Sequence, residues 1–175
     1  MELVISDSIT LKPLAISFAA ELYSVIADSR ENLSQFLPWV DGIIDVNTTK
    51  QYIAERLDSN KAGAQWFAIY RGDRLSGVFG IKHIDPDSKV AECGYWLADF
   101  ARGQGVMNQV LTKIVPYIKN NSHAKVIEFC CLDENLASIK VVQRAGAQFK
   151  YYQKDTSIFI ANKHQRLGVY EIKLT

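Results

Sequence analysis

The sequence predicts an α+β fold: a mixed central sheet of about seven strands, largely antiparallel and parallel only near its centre, flanked by helices. Three observations carry this. From Gln65 the stretches "QWFAIYR", "RLSGVFGIKHI" and "KVAECGYWLA" read as strands joined at Gly72-Asp73 and Asp85-Pro86-Asp87, which makes an antiparallel meander. Further on, "AKVIEFCCL" is an almost continuous apolar run lying between two helical segments, as expected of a strand covered on both faces. Finally, 175 residues with 48% hydrophobic and 22% charged side chains suit one buried core, so residues 1–175 are expected to form a single domain.

Each element follows from its local pattern. The N-terminal "MELVISDSITLKPL" alternates apolar with polar residues and reads as the first strand. In "AISFAAELYSVIADS", Ile16, Ala19, Ala20, Tyr23 and Ile26 recur at helical spacing over about four turns. The segment "RENLSQFLPWVDGI" carries Pro and Trp and is expected to be a short helix and loop, whereas "NTTKQYIAERLDSN" opens on good capping residues and is a second helix. After the meander, Val106, Met107, Val110, Leu111, Ile114, Val115 and Ile118 form one apolar helical face, with Pro116 expected to weaken its last turns. In "DENLASIKVVQRAGA", Asn135 or Asp133 can cap a helix and Gly146 can end it. Two strands, "QFKYYQKD" and "LGVYEIKL", close the chain.

Composition excludes several function classes. A formal net charge of +1, without polybasic runs, marks neither a nucleic-acid nor a membrane surface. No apolar run approaches the ~20 residues that span a bilayer. The N-terminus lacks the basic start and apolar core of a signal peptide, so a cytoplasmic location is expected. Cys93, Cys130 and Cys131 sit in apolar stretches, are odd in number and suit a reducing compartment. His83, His123 and His164 have no metal-ligand spacing, so no metal is expected.

The stretch "ADFARGQGVMNQVLTKIV" places two glycines and an arginine at the mouth of an amphipathic helix. A helix N-terminus presents unpaired N–H groups and a positive dipole end, and glycines before it let a phosphate approach the main chain without obstruction by Cβ. Arg102 adds a positive charge at the rim. From the glycines alone, a tight strand-to-helix turn explains Gly103 and Gly105 equally well. The P-loop is excluded because "ARGQGVMN" has no lysine and hydroxyl pair, and the dinucleotide fingerprint because the third glycine and a parallel βαβ unit are missing.

The combination "ECGYWLADFARGQGVMNQVL", a strand, then "ENLASIKVVQRAGA" resembles the GNAT N-acetyltransferases, and within them the RimJ/RimL branch that acetylates protein N-termini. The family motif Q/R-x-x-G-x-G/A falls on Arg102, Gly105 and Met107, with methionine where the pattern has glycine or alanine. "LSQFLPWVD" is similar to the branch's second-helix segment, so the likeness covers nearly the whole chain. It implies the GNAT fold, acetyl-CoA as cofactor and coenzyme A as product. The amides of Arg102, Gly103, Gln104, Gly105, Val106 and Met107 would hold the diphosphate, while the strand end at Tyr95, Trp96 and Leu97 would pair with pantetheine and supply an oxyanion donor.

The resemblance also gives roles to side chains. Asn135 would contact pantetheine, and Ser138, three residues on and on the same side of the helix, would hydrogen-bond the coenzyme sulfur and stabilise the leaving thiolate. The tyrosine acid of many relatives falls on Val142. For the base, Glu92 sits where several relatives place a strand carboxylate that works through water. The RimL branch instead has a glutamate after the last helix, where "KYYQKDTSI" offers Asp155, with Ser157 nearest the expected position. Trp39, Asp41 and Trp66 are the candidates for the acceptor, together with Phe36, Tyr151 and Tyr152 as groove aromatics and Asp41 as the partner of a cationic amine.

The leading expectation is transfer of acetyl from acetyl-CoA to the N-terminal α-amine of a protein such as a ribosomal protein. Acetylation of a small amine (polyamine, aminoglycoside or amino-acid derivative) stays open, as does a non-catalytic acyl-CoA-binding module, because fold alone does not choose among them. A homodimer through the terminal strands is a further expectation.

Overall fold

The computed structural model describes the backbone of all 175 residues and every side chain except those at 155 and 156. Its eight strands lie in the order β1-β2-β3-β4-β5-β6-β8-β7. The N-terminal strand is divided in two, β1 (Leu3–Val4) and β2 (Ile9–Pro13). The polar triplet Ser6-Asp7-Ser8 turns the chain back, and Ile5 N–H donates to the Ile9 carbonyl at 2.9 Å, so the sheet has eight strands where seven are expected.

After β2 come the helices α1 (Ala19–Asp28), α2 (Arg30–Leu33) and α3 (Val46–Leu57). A 3₁₀ turn (Ile16–Phe18) leads into α1, and another (Pro38–Gly42) precedes α3. The start of α3 is fixed by a capping box in which Asp45 Oδ1 accepts from Thr48 N–H at 2.7 Å and Thr48 Oγ1 accepts from Asp45 N–H at 3.1 Å. The meander is β3 (Gln65–Arg71), β4 (Arg74–Ile84) and β5 (Val90–Leu97), all antiparallel neighbours. Then follow α4 (Val106–Asn121), β6 (Val126–Leu132), α5 (Leu136–Arg144), β7 (Gln148–Ile160) and β8 (Lys163–Lys173). The one parallel pair is β5 with β6.

Side chains alternate across the pleat, so β3 feeds two cores at once. Phe67 and Ile69 join Phe79, Ile127 and Phe129 beneath α4 and α5, while Ala68 and Tyr70 join Leu22, Ile26 and Ile53 beneath α1 and α3. From α4, six residues (Val106, Met107, Val110, Leu111, Ile114 and Ile118) are buried, each contributing about 1.5–3 kcal/mol. That packing carries the helix through Pro116 to Asn121 although the proline cannot donate to the preceding turn.

The layer containing α1 and α3 packs on β3, β4 and β5 but not on β6. Ile127, Phe129 and Cys131 are buried while Val126, Glu128 and Cys130 are half-buried, so β6 is covered fully on one face where the apolar run predicts both. The parallel pairing of β5 and β6 runs from Val90↔Val126 only to Cys93↔Phe129. Beyond Cys93 the two strands part, and that parting positions the site.

Candidate active site

The loop before α4 is built to leave donors free. Gly103 (φ +71°) and Gly105 (φ +70°) occupy the left-handed region that other residues enter at a cost, and Gly105 is the N-cap of α4. Nothing lies within 4 Å of a Cβ placed at either glycine, so backbone conformation and not crowding requires them. Among the described residues, no protein acceptor takes the N–H groups of residues 103–108; the first amide of this region to find a carbonyl is Gln109, bonded to Gly105 at 3.1 Å. Six consecutive unpaired N–H groups at a helix start form a cradle for an anion such as a diphosphate. Gln104 turns outward, its amide donating to the Phe100 carbonyl and its oxygen accepting from Arg71.

From this loop a cleft follows the free edge of β5 between α2 and α5, bounded by Leu33, Phe36, Tyr95, Leu97, Arg102, Met107, Asn135, Ser138 and Val141. Asn135 is the N-cap of α5, and its Oδ1 accepts from Ser138 N–H at 3.3 Å, which fixes the first turn on which Ser138 stands. Ser138 Oγ is 3.1 Å from the Tyr95 hydroxyl and 3.5 Å from Cys131 Sγ. Burial pushes the Tyr95 phenol and the Cys131 thiol above their ordinary values, so both are protonated donors at neutral pH. A side chain that can offer a proton to a sulfur at the end of the cleft therefore stands in a relay of neutral hydroxyls.

A second cavity meets the first at Leu37, Tyr95, Trp96 and Ser138. Trp39, Tyr52, Arg56, Trp66, Lys82 and Cys130 are among its other walls. Trp96 Nε1 donates to the Tyr52 hydroxyl at 3.1 Å, and the Trp39 ring tilts against Tyr52 with centroids 4.6 Å apart. Trp66 lies on Gly80, where a Cβ would come within 2.3 Å of the indole. Ser138 thus stands where the two cavities join, as a transfer between two molecules requires.

Most of the sequence-predicted residues fall on these walls. Tyr95, Trp96, Leu97, Arg102, Gly103, Met107, Asn135 and Ser138 line the cleft, and Trp39 and Trp66 line the second cavity. Val106 is the first residue of α4, and its side chain is buried in the core. Phe36 stands on the cleft and not among the acceptor aromatics. Asp41 is exposed and lines neither cavity, because the 3₁₀ turn that carries it presents Val40 to the core. Tyr151 is half exposed, Tyr152 stacks on Arg166 at 3.8 Å, and Ser157 Oγ is 2.8 Å from His164 Nδ1 in the β7–β8 hairpin. Asp155 lies outside the described side chains.

Glu92 is half-buried on β5 beside the second cavity without lining it. Its carboxylate is held by Lys82 Nζ at 2.8 Å, with His83 Nδ1 at 3.5 Å. The sequence reading passed over Arg56, Lys82, the Tyr95 hydroxyl and Cys131. The four-residue spacing of Tyr52 and Arg56 is the local signal for one of these; the contact of the Tyr95 hydroxyl with Ser138 spans 43 positions, and the others depend on how the finished sheet and α5 pack.

Comparison with known proteins agrees with this geometry. Residues 8–148 match the model of the acetyltransferase (GNAT) domain. The chain belongs to the GNAT acetyltransferase family. It is 28% identical over 143 residues to the ribosomal-protein-serine acetyltransferase of Escherichia coli (strain K12), covering 81% of this chain and 80% of that protein. Among solved GNAT structures, RimL, a ribosomal L7/L12 alpha-N-protein acetyltransferase in complex with coenzyme A, superposes with a TM-score of 0.91 at 20% identity, covering 99% of this chain and 98% of that one. The microcin C7 self-immunity acetyltransferase MccE, in complex with acetyl-CoA and AMP, superposes with a TM-score of 0.87 at 22% identity over 97% and 94% of the two chains. The likeness spans the GNAT fold from end to end. Among the described residues of this GNAT chain, no group of side chains is arranged to hold a metal, and no helix is long and apolar enough to cross a membrane.

Proposed function

We propose that this GNAT chain acts as one domain, transferring acetyl from acetyl-CoA to the N-terminal α-amine of a protein, a ribosomal protein in the first instance. One observation carries the reading: the unpaired N–H groups of residues 103–108 adjoin a cleft that reaches Ser138, where a second cavity joins it. The 28% identity to a ribosomal-protein-serine acetyltransferase supports the choice of acceptor. Three free cysteines suit a cytoplasmic setting.

The chain's residues divide the work. Arg102 and the loop amides hold the diphosphate, and Asn135 with the free edge of β5 orients pantetheine along the cleft. An N–H on that edge stabilises the negative charge that gathers on the thioester oxygen when the amine adds to the carbonyl. As the intermediate collapses, the carbon–sulfur bond breaks and Ser138 Oγ, backed by Tyr95, hydrogen-bonds the departing sulfur. The amine's proton passes through solvent to Glu92, which contacts the cavity by way of Lys82 rather than directly.

Acceptor chemistry favours an α-amine. Its reference pKa is near 8 against about 10.4 for lysine, so presenting a neutral lysine at pH 7 costs roughly 3 kcal/mol more. Mass spectrometry of N-terminal serine and alanine peptides incubated with the protein and acetyl-CoA tests the proposal. The expected result is a gain of one acetyl group on the α-amine. Acetylation confined to small amines overturns the protein-acceptor assignment, and acetyl-CoA binding without transfer to any amine overturns the enzymatic one.

A further inference from the structure

The second cavity contains a cation that forms no ion pair among the described residues, although Glu55 beside it on α3 favours its charge from a distance. Arg56, in the last turn of α3, projects over the Tyr52 ring with its guanidinium carbon 3.4 Å from the centroid, 5.0 Å from that of Trp66 and 5.6 Å from that of Trp39. Of its five N–H bonds, one donates to the Tyr52 carbonyl from Nη1 at 3.0 Å, and the guanidinium also interacts with the Tyr52 hydroxyl, which leaves most of its donors for a ligand. Arg56 Nε is shielded from solvent with no acceptor, and Arg56 forms no ion pair among the described residues. Burial makes its charged form harder to hold than in water.

The neighbouring groups are donors too. Trp66 Nε1 is shielded without a partner, and Lys82 adds a second positive charge, although Glu92 already faces it. The hydroxyl nearest Arg56, on Tyr52, already accepts from Trp96 Nε1 at 3.1 Å. Stacking on aromatic rings makes a guanidinium planar and well oriented, but it satisfies no N–H. A wall of three aromatic rings around an under-bonded guanidinium matches a planar oxyanion, which takes two parallel N–H bonds from one arginine. Chemically, the ligand group that fits is a carboxylate.

We propose that the acceptor carries a carboxylate close to the amine that is acetylated, and that Arg56 binds this carboxylate and sets acceptor specificity. The inference rests on the transferase reading above and narrows its substrate class. An acidic side chain next to the N-terminal residue of a peptide is the source to which the proposal commits; a free amino acid's own carboxylate is the other chemical source. The same positive charge disfavours an ammonium in the cavity, so the carboxylate anchors the acceptor while the amine arrives neutral.

The test uses the full chain, acetyl-CoA and matched peptides beginning with serine, with Glu or Gln at the second or third residue, alongside free glutamate. Turnover is followed as kcat/KM, and peptide binding to the coenzyme A-loaded protein by calorimetry. The Glu peptides are expected to exceed their Gln counterparts by roughly 10- to 100-fold in kcat/KM, as suits a hydrogen-bonded charge pair. Arg56→Gln should bring that ratio close to one and Arg56→Lys should keep part of it, with thermal unfolding confirming that both variants fold. Preference for free glutamate over the Glu peptides would place the carboxylate on a small acceptor and overturn the commitment to a peptide. Equal handling of Glu and Gln peptides by the unaltered protein, or a preference that survives Arg56→Gln, overturns the proposal. Arg56-dependent binding of the Glu peptides without acetyl transfer would uphold it while removing the transferase reading.

Discussion

Ser138 carries the sharpest prediction at the scale of single residues. Its Oγ lies within hydrogen-bonding reach of Tyr95 and Cys131 at the junction of the two cavities, so Ser138→Ala removes a donor that matters most when the thiolate departs. A hydrogen bond to a charged group is worth about 1.5–3 kcal/mol, which is roughly 10- to 100-fold in rate. Turnover by thiol release should fall by that factor while calorimetric affinity for coenzyme A changes little. A loss of affinity with turnover unchanged would move Ser138 out of the chemistry. Asn135 as the cap of α5 was legible in the sequence because capping is a local rule, whereas the role of Ser138 came from the family resemblance. The Tyr95 hydroxyl was not legible, since it meets Ser138 across 43 positions, and the pairing of β5 and α5 that brings them together has no local signature. The acidity of Asp41 is visible in sequence, but its exposed position outside both cavities is not.

Elements set where these residues stand, and two glycines test that. Gly105 is held at φ +70° as the N-cap of α4, and a left-handed conformation costs another residue about 1–2 kcal/mol. For a chain of this size each kilocalorie corresponds to roughly 2–4 °C, so Gly105→Ala should lower the melting temperature by about 2–8 °C and weaken coenzyme A binding, both measurable by thermal shift with and without ligand. Gly80→Ala acts elsewhere: its new Cβ would meet the Trp66 indole at 2.3 Å and drive the ring from the acceptor cavity. It should raise KM for the acceptor and leave coenzyme A affinity intact, and a reversed pattern would show that Trp66 does not wall the acceptor site. Strand boundaries in the meander were readable because Gly72-Asp73 and Asp85-Pro86-Asp87 mark turns chemically. The division of the first strand at Ser6-Asp7-Ser8 and the half-covered face of β6 were not, because both depend on which neighbours the finished sheet supplies.

On the scale of the whole molecule, buried acids make stability depend on pH in a fixed direction. Burial pushes the Cys130 thiol up to about 12, and Cys93, Cys131, Tyr52 and Tyr95 are raised by the same cause. Each raised group binds its proton more tightly when folded, so its contribution is intact below the ordinary thiol value near 9 and is lost as pH rises from there towards 12. Asp45 and Asp85 act oppositely: backbone N–H groups hold both carboxylates below 3.8, and their contribution is lost as pH falls below that value. Urea midpoints should therefore decline below about pH 4 and again above about pH 9, while burial of Glu128 adds a further loss as pH rises above 4.5; a midpoint that rises between pH 9 and 11 would contradict the burial of these groups. The order of elements was legible from periodicity, yet the placement of β8 between β6 and β7 was not, since a long hairpin can enter a sheet by either strand.

All of this depends on the unpaired amides before α4 receiving the diphosphate of the acetyl carrier. The direct measurement is an amide ¹⁵N–¹H spectrum titrated with coenzyme A. The account predicts that the largest shifts fall on residues 103–108, followed by Tyr95 and Ser138, with Asp41 and the β7–β8 hairpin unmoved. Saturable binding that leaves the amides of residues 103–108 in place would contradict it.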